Sequence, residues 1–252
     1  MTKIIIHGCN GKMGQTVTNL CREDADIQVV AGVEGSDHIQ NEYPVFKTLA
    51  ECPEADVIID FAYAGAVDAL LSCSVERQIP VVLCTTGLSE AQNEAVREAS
   101  QKVAVLKSAN MSLGINLLME LLKKAARTLA TAGFDMEIVE KHHNQKLDAP
   151  SGTALALADS LNEALDHAYT YQYDRTKDRK KREKQEIGIQ SVRGGSIVGE
   201  HDVIFAGMDE VITFSHTAYS RSIFAKGAIE AAKFLCGKPA GFYDMQDVIS
   251  AK

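Results

Sequence analysis

The sequence predicts an α/β protein: a doubly wound parallel sheet joined to an inserted α+β domain with a mostly antiparallel or mixed sheet. Three observations predict it. Short β-branched runs alternate with amphipathic segments through the first hundred residues. A glycine-rich turn follows the first run. Beyond residue 110 the pattern changes to strands of alternating polarity between Gly-rich turns. Strand–helix alternation builds right-handed βαβ units and hence a parallel sheet.

The elements follow in order. Ile4–Ile6, Ile27–Val33, Asp56–Phe61, Val81–Cys84 and Val103–Leu106 suit strands buried on both faces. Between them, Met13, Val17, Leu20 and Cys21 fall at i, i+4, i+7 and i+8, one face of a helix. Ala64–Arg77 and Ser89–Ser100 read as further helices, the second starting at Ser89-Glu90. Leu113–Leu129 is a long amphipathic helix, Met136–Val139 a strand and Thr153–Leu165 a helix. After the polar stretch Tyr169–Gln185, the runs Ile187–Arg193, Asp202–Phe205 and Val211–Ser215 alternate apolar and polar residues, as antiparallel strands with one covered face do. Phe224–Leu235 is an Ala-rich helix that returns to the first domain. The expected division is 1–110 with 217–252 for one domain and 111–216 for the other.

Composition sets the outer bounds. With 252 residues, 46% hydrophobic and 24% charged, the chain buries enough surface to fold without staples. Its formal charge of −8 argues against a general nucleic-acid coat. No run of about 18 apolar residues suggests a membrane span, and the start lacks a signal-peptide core. The expectation is a cytoplasmic protein with no membrane or nucleic-acid partner. None of the six cysteines forms a C-x-x-C pair, which suits reduced structural thiols. The run from Arg175 to Lys184 holds seven basic and two acidic residues, and is read as a solvated connection.

Gly8, Gly11 and Gly14 stand between a strand and a helix in the spacing G-x-x-G-x-x-G. Such a turn lets backbone N–H groups and a helix N-terminus meet a pyrophosphate. Asn10 is expected to tolerate left-handed geometry there. Glu34 ends the second strand, 20 residues after Gly14, where an acid that binds a ribose hydroxyl belongs. Together these mark a Rossmann-like dinucleotide site. Gly35 follows Glu34, so no adjacent Arg meets a 2′-phosphate, although Lys12 lies in the loop. NADH, or both NADH and NADPH, is the expected coenzyme. Thr85, Thr86 and Gly87, and then Ala109, Asn110 and Met111, follow later strands, where ligands bind in open α/β sheets.

Residues 140–153 carry a second constellation. His142, His143 and Lys146 lie within five residues, and Pro150-Ser151-Gly152-Thr153 opens an Ala/Leu-rich helix. Histidine suits proton transfer near neutral pH. Lysine adds charge for an anion. Ser151 or Thr153 can cap the helix, leaving the N–H groups of Gly152 and Thr153 to hold a carboxylate. Adjacent histidines on an extended segment point to opposite sides and no H-E-x-x-H spacing is present, so no metal is expected.

Glu140-Lys141-His142-His143 through Lys146, with Asp148-Ala149-Pro150-Ser151-Gly152-Thr153-Ala154, resembles the signature of the dihydrodipicolinate reductase family, also called 4-hydroxy-tetrahydrodipicolinate reductases. Gly8-Cys9-Asn10-Gly11-Lys12-Met13-Gly14 is similar to that family's coenzyme loop. Asp60-Phe61, Thr85-Thr86-Gly87, Ala109–Asn116, Ser191–Gly195 and Gly199-Glu200-His201 resemble later family segments, so the likeness covers most of the chain. It implies NAD(P)H-dependent reduction of a cyclic dicarboxylate to tetrahydrodipicolinate, on the route to diaminopimelate and lysine. It implies a homotetramer, with the inserted domain binding substrate and supplying the subunit sheet. It also implies His142 as general acid with Lys146 as its partner, and His143, Lys146, Gly152 and Thr153 as ligands of the substrate carboxylates. The coenzyme ligands implied are Gly8, Asn10, Gly11, Lys12, Met13, Gly14, Glu34, Cys84, Thr85, Thr86, Ala109, Asn110 and Met111. With the proton donor on one domain and the hydride donor on the other, domain closure is expected. Three departures stand out. Cys84 replaces a usual Gly, Met111 replaces a common aromatic residue, and Glu34-Gly35 replaces an acid–Arg pair. The rival readings are a related amino-acid or semialdehyde dehydrogenase and a dinucleotide sensor without catalysis, which would need no proton donor in the second domain.

Overall fold

The computed structural model describes residues 1–36, 39–176 and 179–251. The chain divides into two compact units, Met1–Leu113 with Ser222–Lys252, and Gly114–Arg221.

The first unit is built on a parallel sheet of seven strands: β1 (Thr2–His7), β2 (Ile27–Val33), β3 (Val45–Phe46), β4 (Val57–Asp60), β5 (Val81–Leu83), β6 (Ala104–Leu106) and, from the end of the chain, β12 (Gly241–Tyr243). Their order is β12-β6-β5-β4-β1-β2-β3, so the winding direction reverses between β1 and β4. Period-2 alternation splits each strand between two cores. Ile4, Ile6, Val57 and Ile59 face one side, with the helices α1 (Lys12–Arg22) and α6 (Ser222–Leu235). Ile5, Ile58 and Val81 face the other, with α2 (Val67–Arg77) and α3 (Glu90–Ser100). Both faces are covered, which is why these strands read as continuous apolar runs. Ser89 caps α3 and pairs reciprocally with Gln92 in a capping box. Strand β12 and the closing helix α7 (Met245–Ser250) were not expected; Asp244 caps α7. Both elements are short, and short elements leave little periodicity to read.

The second unit pairs two helices with a five-stranded sheet. Helix α4 (Leu113–Leu129) leads into it, followed by β7 (Asp135–His142), α5 (Gly152–Glu163), β8 (Thr170–Gln172), β9 (Glu186–Arg193), β10 (Gly199–Ala206) and β11 (Val211–Ala218). The order is β11-β10-β7-β9-β8. β10 pairs antiparallel with β7 and β11, whereas β9 pairs parallel with β7 and β8, making the sheet mixed. Met136, Ile138, Ile187, Ile189, Val203 and Phe205 form one apolar face, packed on Leu118, Leu122, Leu157 and Leu161 of α4 and α5.

In the basic segment Arg179, Lys180, Lys181 and Lys184 are exposed, as a solvated connection requires. Lys177 and Asp178 lie outside the described residues, but two of its arginines are anchored rather than solvated. Arg182 bonds Glu137 at 3.0 Å and Asp135 at 2.9 Å, and also donates to the carbonyls of Met136 and Glu186. Arg175 bonds Glu137 at 2.8 Å and pairs with buried Glu186. A charge run that looks like a surface strip thus clamps the ends of β7 and β9.

Candidate active site

Because every strand of the first sheet runs parallel, the loops that leave β1, β2, β4, β5 and β6 emerge on one edge. The expected coenzyme residues lie on those loops. Gly8–Gly14 follow β1, Glu34 follows β2, Cys84–Thr86 follow β5 and Ala109–Met111 follow β6. The glycines answer a steric demand. Gly8 has φ +81, and a Cβ there would lie 2.8 Å from the Phe61 carbonyl oxygen. A Cβ on Gly14 would lie 2.3 Å from the Gly8 carbonyl oxygen. Gly11 is the N-cap of α1 and supplies no side-chain cap, and the first turn holds no acidic residue. The helix therefore presents uncapped N–H groups beside the exposed Lys12, an arrangement that fits a pyrophosphate.

Asn10 acts differently from expectation. Among the described residues its φ is not in the left-handed set; that role falls to Gly8. Asn10 instead bridges outward, donating to the Ser36 carbonyl at 2.7 Å and accepting from Asn41 at 2.8 Å. Gln15 closes the loop from within, donating to the Cys9 carbonyl at 2.9 Å and to Asn41 at 2.8 Å. These amides tie the loop to the segment after β2. The Glu34 carboxylate accepts from the Gly35 N–H at 2.8 Å. Asp60 at the end of β4 is fully buried and bonds His7 Nδ1 at 2.7 Å, pinning the ends of the two central strands.

The Met111 side chain is buried in the core under α6. Met13 likewise packs against that core. Cys84 is held as a neutral thiol, since burial pushes it well above the ordinary range. Asn110 accepts from the Ser112 N–H at 2.8 Å and shapes the loop after β6. Thr85 is buried, whereas Thr86 and Ala109 are exposed.

In the second unit, the period of β7 carries the stripe Met136–Ile138 on to Glu140 and His142, so two polar residues end up on the helix-covered face. The register completes the group. Glu140 stands opposite Ser191 on β9 and His201 on β10, and His142 stands opposite Arg193. Glu140 is fully buried and lies 2.6 Å from His142 Nδ1 through Oε2. Arg193 grips the same carboxylate with both terminal nitrogens, at 2.8 and 2.7 Å, and the Ser151 N–H donates to it at 3.1 Å. Burial alone would raise this carboxyl. Hydrogen bonds from Arg193, Ser191, His142 and Ser151 outweigh it and hold Glu140 at about 2. An ionised Glu140 accepts the Nδ1–H of His142, which leaves Nε2 outside that bond. Next to that nitrogen is Gly199, where a Cβ would lie only 3.1 Å away.

His201 stands edge-on to His142, with centroids 5.2 Å apart. Its Nε2 meets the Ser151 hydroxyl at 3.0 Å, and that hydroxyl accepts from the Ala154 N–H as the cap of α5. Burial first, then the neighbouring His142, push His201 down to about 4, so it is neutral at neutral pH. Lys146 lies 2.8 Å from the Asp148 carboxylate. The expected pair His142 and Lys146 therefore belongs to one segment, with His143 and the start of α5. Glu140, Arg193, His201 and Gly199 lie in segments the family resemblance already marked, but sequence reasoning gave them no role in the site. Their signal was the strand register, which a linear pattern does not reveal. Among the described residues, no three His, Cys, Asp or Glu side chains are grouped to hold a metal ion, and no helix is long and apolar enough to cross a membrane.

Comparison with known proteins bears on both units. Residues 2–111 match the family model "Dihydrodipicolinate reductase, N-terminus", and residues 114–249 match "Dihydrodipicolinate reductase, C-terminus". The chain is 53% identical over 250 residues to a 4-hydroxy-tetrahydrodipicolinate reductase of Caldanaerobacter subterraneus, covering 99% of this chain and 98% of the relative. It is 47% identical over 253 residues to the protein of that name from Clostridium novyi, covering 100% of each. In structure it is similar to a dipicolinate-bound dihydrodipicolinate reductase of a Paenisporosarcina species, with TM-score 0.82, 24% identity and 99% of each chain covered. That likeness speaks to the fold alone. The two family matches span nearly the whole chain and the relatives align end to end, so this protein is an oxidoreductase belonging to the dihydrodipicolinate reductase family.

Proposed function

We propose that the chain reduces 4-hydroxy-tetrahydrodipicolinate to tetrahydrodipicolinate, the reaction after which its relatives are named, in the diaminopimelate route to lysine. Loss of the 4-hydroxyl as water leaves a conjugated imine, which then takes up one hydride to give an enamine and one proton to give the product. A bound nicotinamide coenzyme supplies the hydride. Gly8, Asn10, Gly11, Lys12, Met13 and Gly14 would hold its pyrophosphate through the loop and the start of α1. Glu34 would meet its ribose. Cys84, Thr85, Thr86, Ala109, Asn110 and Met111 would line the loops nearer the nicotinamide, with Met111 contributing backbone rather than side chain. NADH or NADPH fits this edge.

The observation that carries the chemical reading is the chain Arg193–Glu140–His142 at the end of β7, with Glu140 buried at its centre. Glu140 fixes the ring through Nδ1 and stabilises its protonated form, so that Nε2 can give a proton to the enamine left by hydride transfer. Lys146 and the N-terminus of α5 follow within ten residues. Lys146, His143, Gly152 and Thr153 would bind the substrate carboxylates, and Lys146 would also offset charge that develops on the ring. We further propose that the family's homotetramer and cytoplasmic setting hold for this chain.

The test is NADH oxidation with freshly prepared product of the preceding synthase. Turnover is expected, and His142→Ala should lower it far more than it weakens NADH binding. Folded, NADH-binding protein that gives no absorbance change would favour a dinucleotide sensor.

A further inference from the structure

Asp148 stands where a ligand carboxylate is proposed to go. Its side chain accepts from Lys146 Nζ at 2.8 Å. It is held below the ordinary carboxylate range chiefly by that lysine, with the N–H of Gly152 also bonding it. These are two of the groups assigned above to the substrate. The aspartate is tethered unevenly. Its backbone carbonyl accepts from Arg193 at 2.6 Å, so the main chain is fixed to the guanidinium that grips Glu140. Its side chain is 58% exposed, so rotation about χ1 can carry the carboxylate into solvent without moving the backbone. Exposed Leu147 and Ala149 on either side place no wall in its way.

We propose that Asp148 is an internal stand-in for a substrate carboxylate: it occupies the cradle of Lys146 and Gly152 in the free protein and is displaced when the dicarboxylate binds. The arrangement has two consequences. Lys146 and the first turn of α5 keep a bound-like geometry before the ligand arrives, which lowers the ordering cost. An incoming anion must also replace an existing charge-assisted pair rather than fill an open site. A single weak carboxylate gains little by that exchange, whereas a ligand with a second carboxylate gains from both ends. Asp148 is thus a specificity-determining residue, acting through Lys146. This inference rests on the substrate proposed above.

Calorimetric titration of the full-length protein with dipicolinate, in the presence of NADH, tests it. Asp148→Asn keeps the shape and removes the competing charge, so it should bind about 5-fold tighter than the unaltered protein. KM should fall by a similar factor with kcat unchanged, the pattern of altered uniform binding. Equal or weaker binding by Asp148→Asn would overturn the proposal and leave Asp148 as a mere prop for Lys146. A second readout needs no variant. The ¹³C resonance of the Asp148 carboxyl should titrate below the ordinary range in the free protein and return towards it with dipicolinate bound; no such return would also overturn the proposal. If the unaltered protein neither binds dipicolinate nor turns over substrate, it is the functional reading that fails, and this inference falls with it.

Discussion

His142 Nδ1 lies 2.6 Å from Glu140 Oε2, and the two residues share one face of β7 at a separation of two. A strand holds such a pair more firmly than a loop would, because the pleat fixes both Cβ directions. The relay can be broken without removing the histidine. Glu140→Gln leaves a neutral amide beside Nδ1 and removes the charge that stabilises the protonated ring. We expect kcat to fall about 100-fold, while the dissociation constant for NADH stays within about 2-fold. Steady-state kinetics with coenzyme titration would decide; an unchanged kcat would remove Glu140 from the mechanism.

Gly199 offers a test of which nitrogen works. A Cβ at this position would lie 3.1 Å from His142 Nε2, closer than an ordinary contact. Gly199→Ala therefore crowds the nitrogen proposed to give the proton and leaves the Nδ1 side intact. Turnover should drop about 10-fold, and the melting temperature should fall by no more than a few degrees. Full activity in the alanine variant would place the working nitrogen elsewhere.

Acid stability should report His201 and Glu140 in separate windows. Burial holds His201 down at about 4, below the usual 6.5. The unfolded chain takes up a proton there before the folded one does, so stability falls as pH drops from 6.5 to 4. A buried imidazole with this shift contributes on the order of 3 kcal/mol across that window. Glu140, held at about 2 against an ordinary 4.5, keeps its contribution above 4.5 and loses it as pH falls towards 2. Urea unfolding at a series of pH values should show both slopes. His201→Gln should flatten the first and spare the second; an unchanged first slope would mean that another group carries it.

Much of this was legible because each level of the sequence agreed with the next. The runs at Ile4–Ile6 and Val57–Ile59 are buried on both faces and cannot be mistaken for half-exposed strands. Gly8 and Gly14 are dictated by backbone contacts under 3 Å. His142 and Lys146 belong to one contiguous segment. What stayed hidden was long-range. Arg193 lies 53 residues from Glu140 and meets it only because β9 pairs parallel with β7. Arg182 looked like part of a solvated basic strip because its carboxylate partners lie 45 and 47 residues away. The burial of Met111 was hidden for the opposite reason: a loop residue looks accessible in sequence, and only packing shows its side chain turned into the core.

Coenzyme choice can be engineered at one position. The Glu34 carboxylate accepts from the Gly35 N–H, and a carboxylate there suits a ribose 2′-hydroxyl and repels a 2′-phosphate. Glu34 is followed by Gly35, leaving no guanidinium beside the acid. A Cβ on Gly35 would meet nothing within 4 Å, and its φ lies outside the left-handed range, so a long side chain fits without strain. Gly35→Arg adds a planar donor suited to a phosphate. One charge-assisted contact of that kind is worth about 1.4 kcal/mol or more, so kcat/KM for NADPH should rise about 10-fold relative to NADH. Glu34→Ala should act from the other side, raising the KM for NADH by removing its ribose acceptor and lowering that for NADPH by removing the repulsion. Parallel kinetics with the two coenzymes check both, and a ratio unmoved by Gly35→Arg would place the adenosine ribose away from the end of β2.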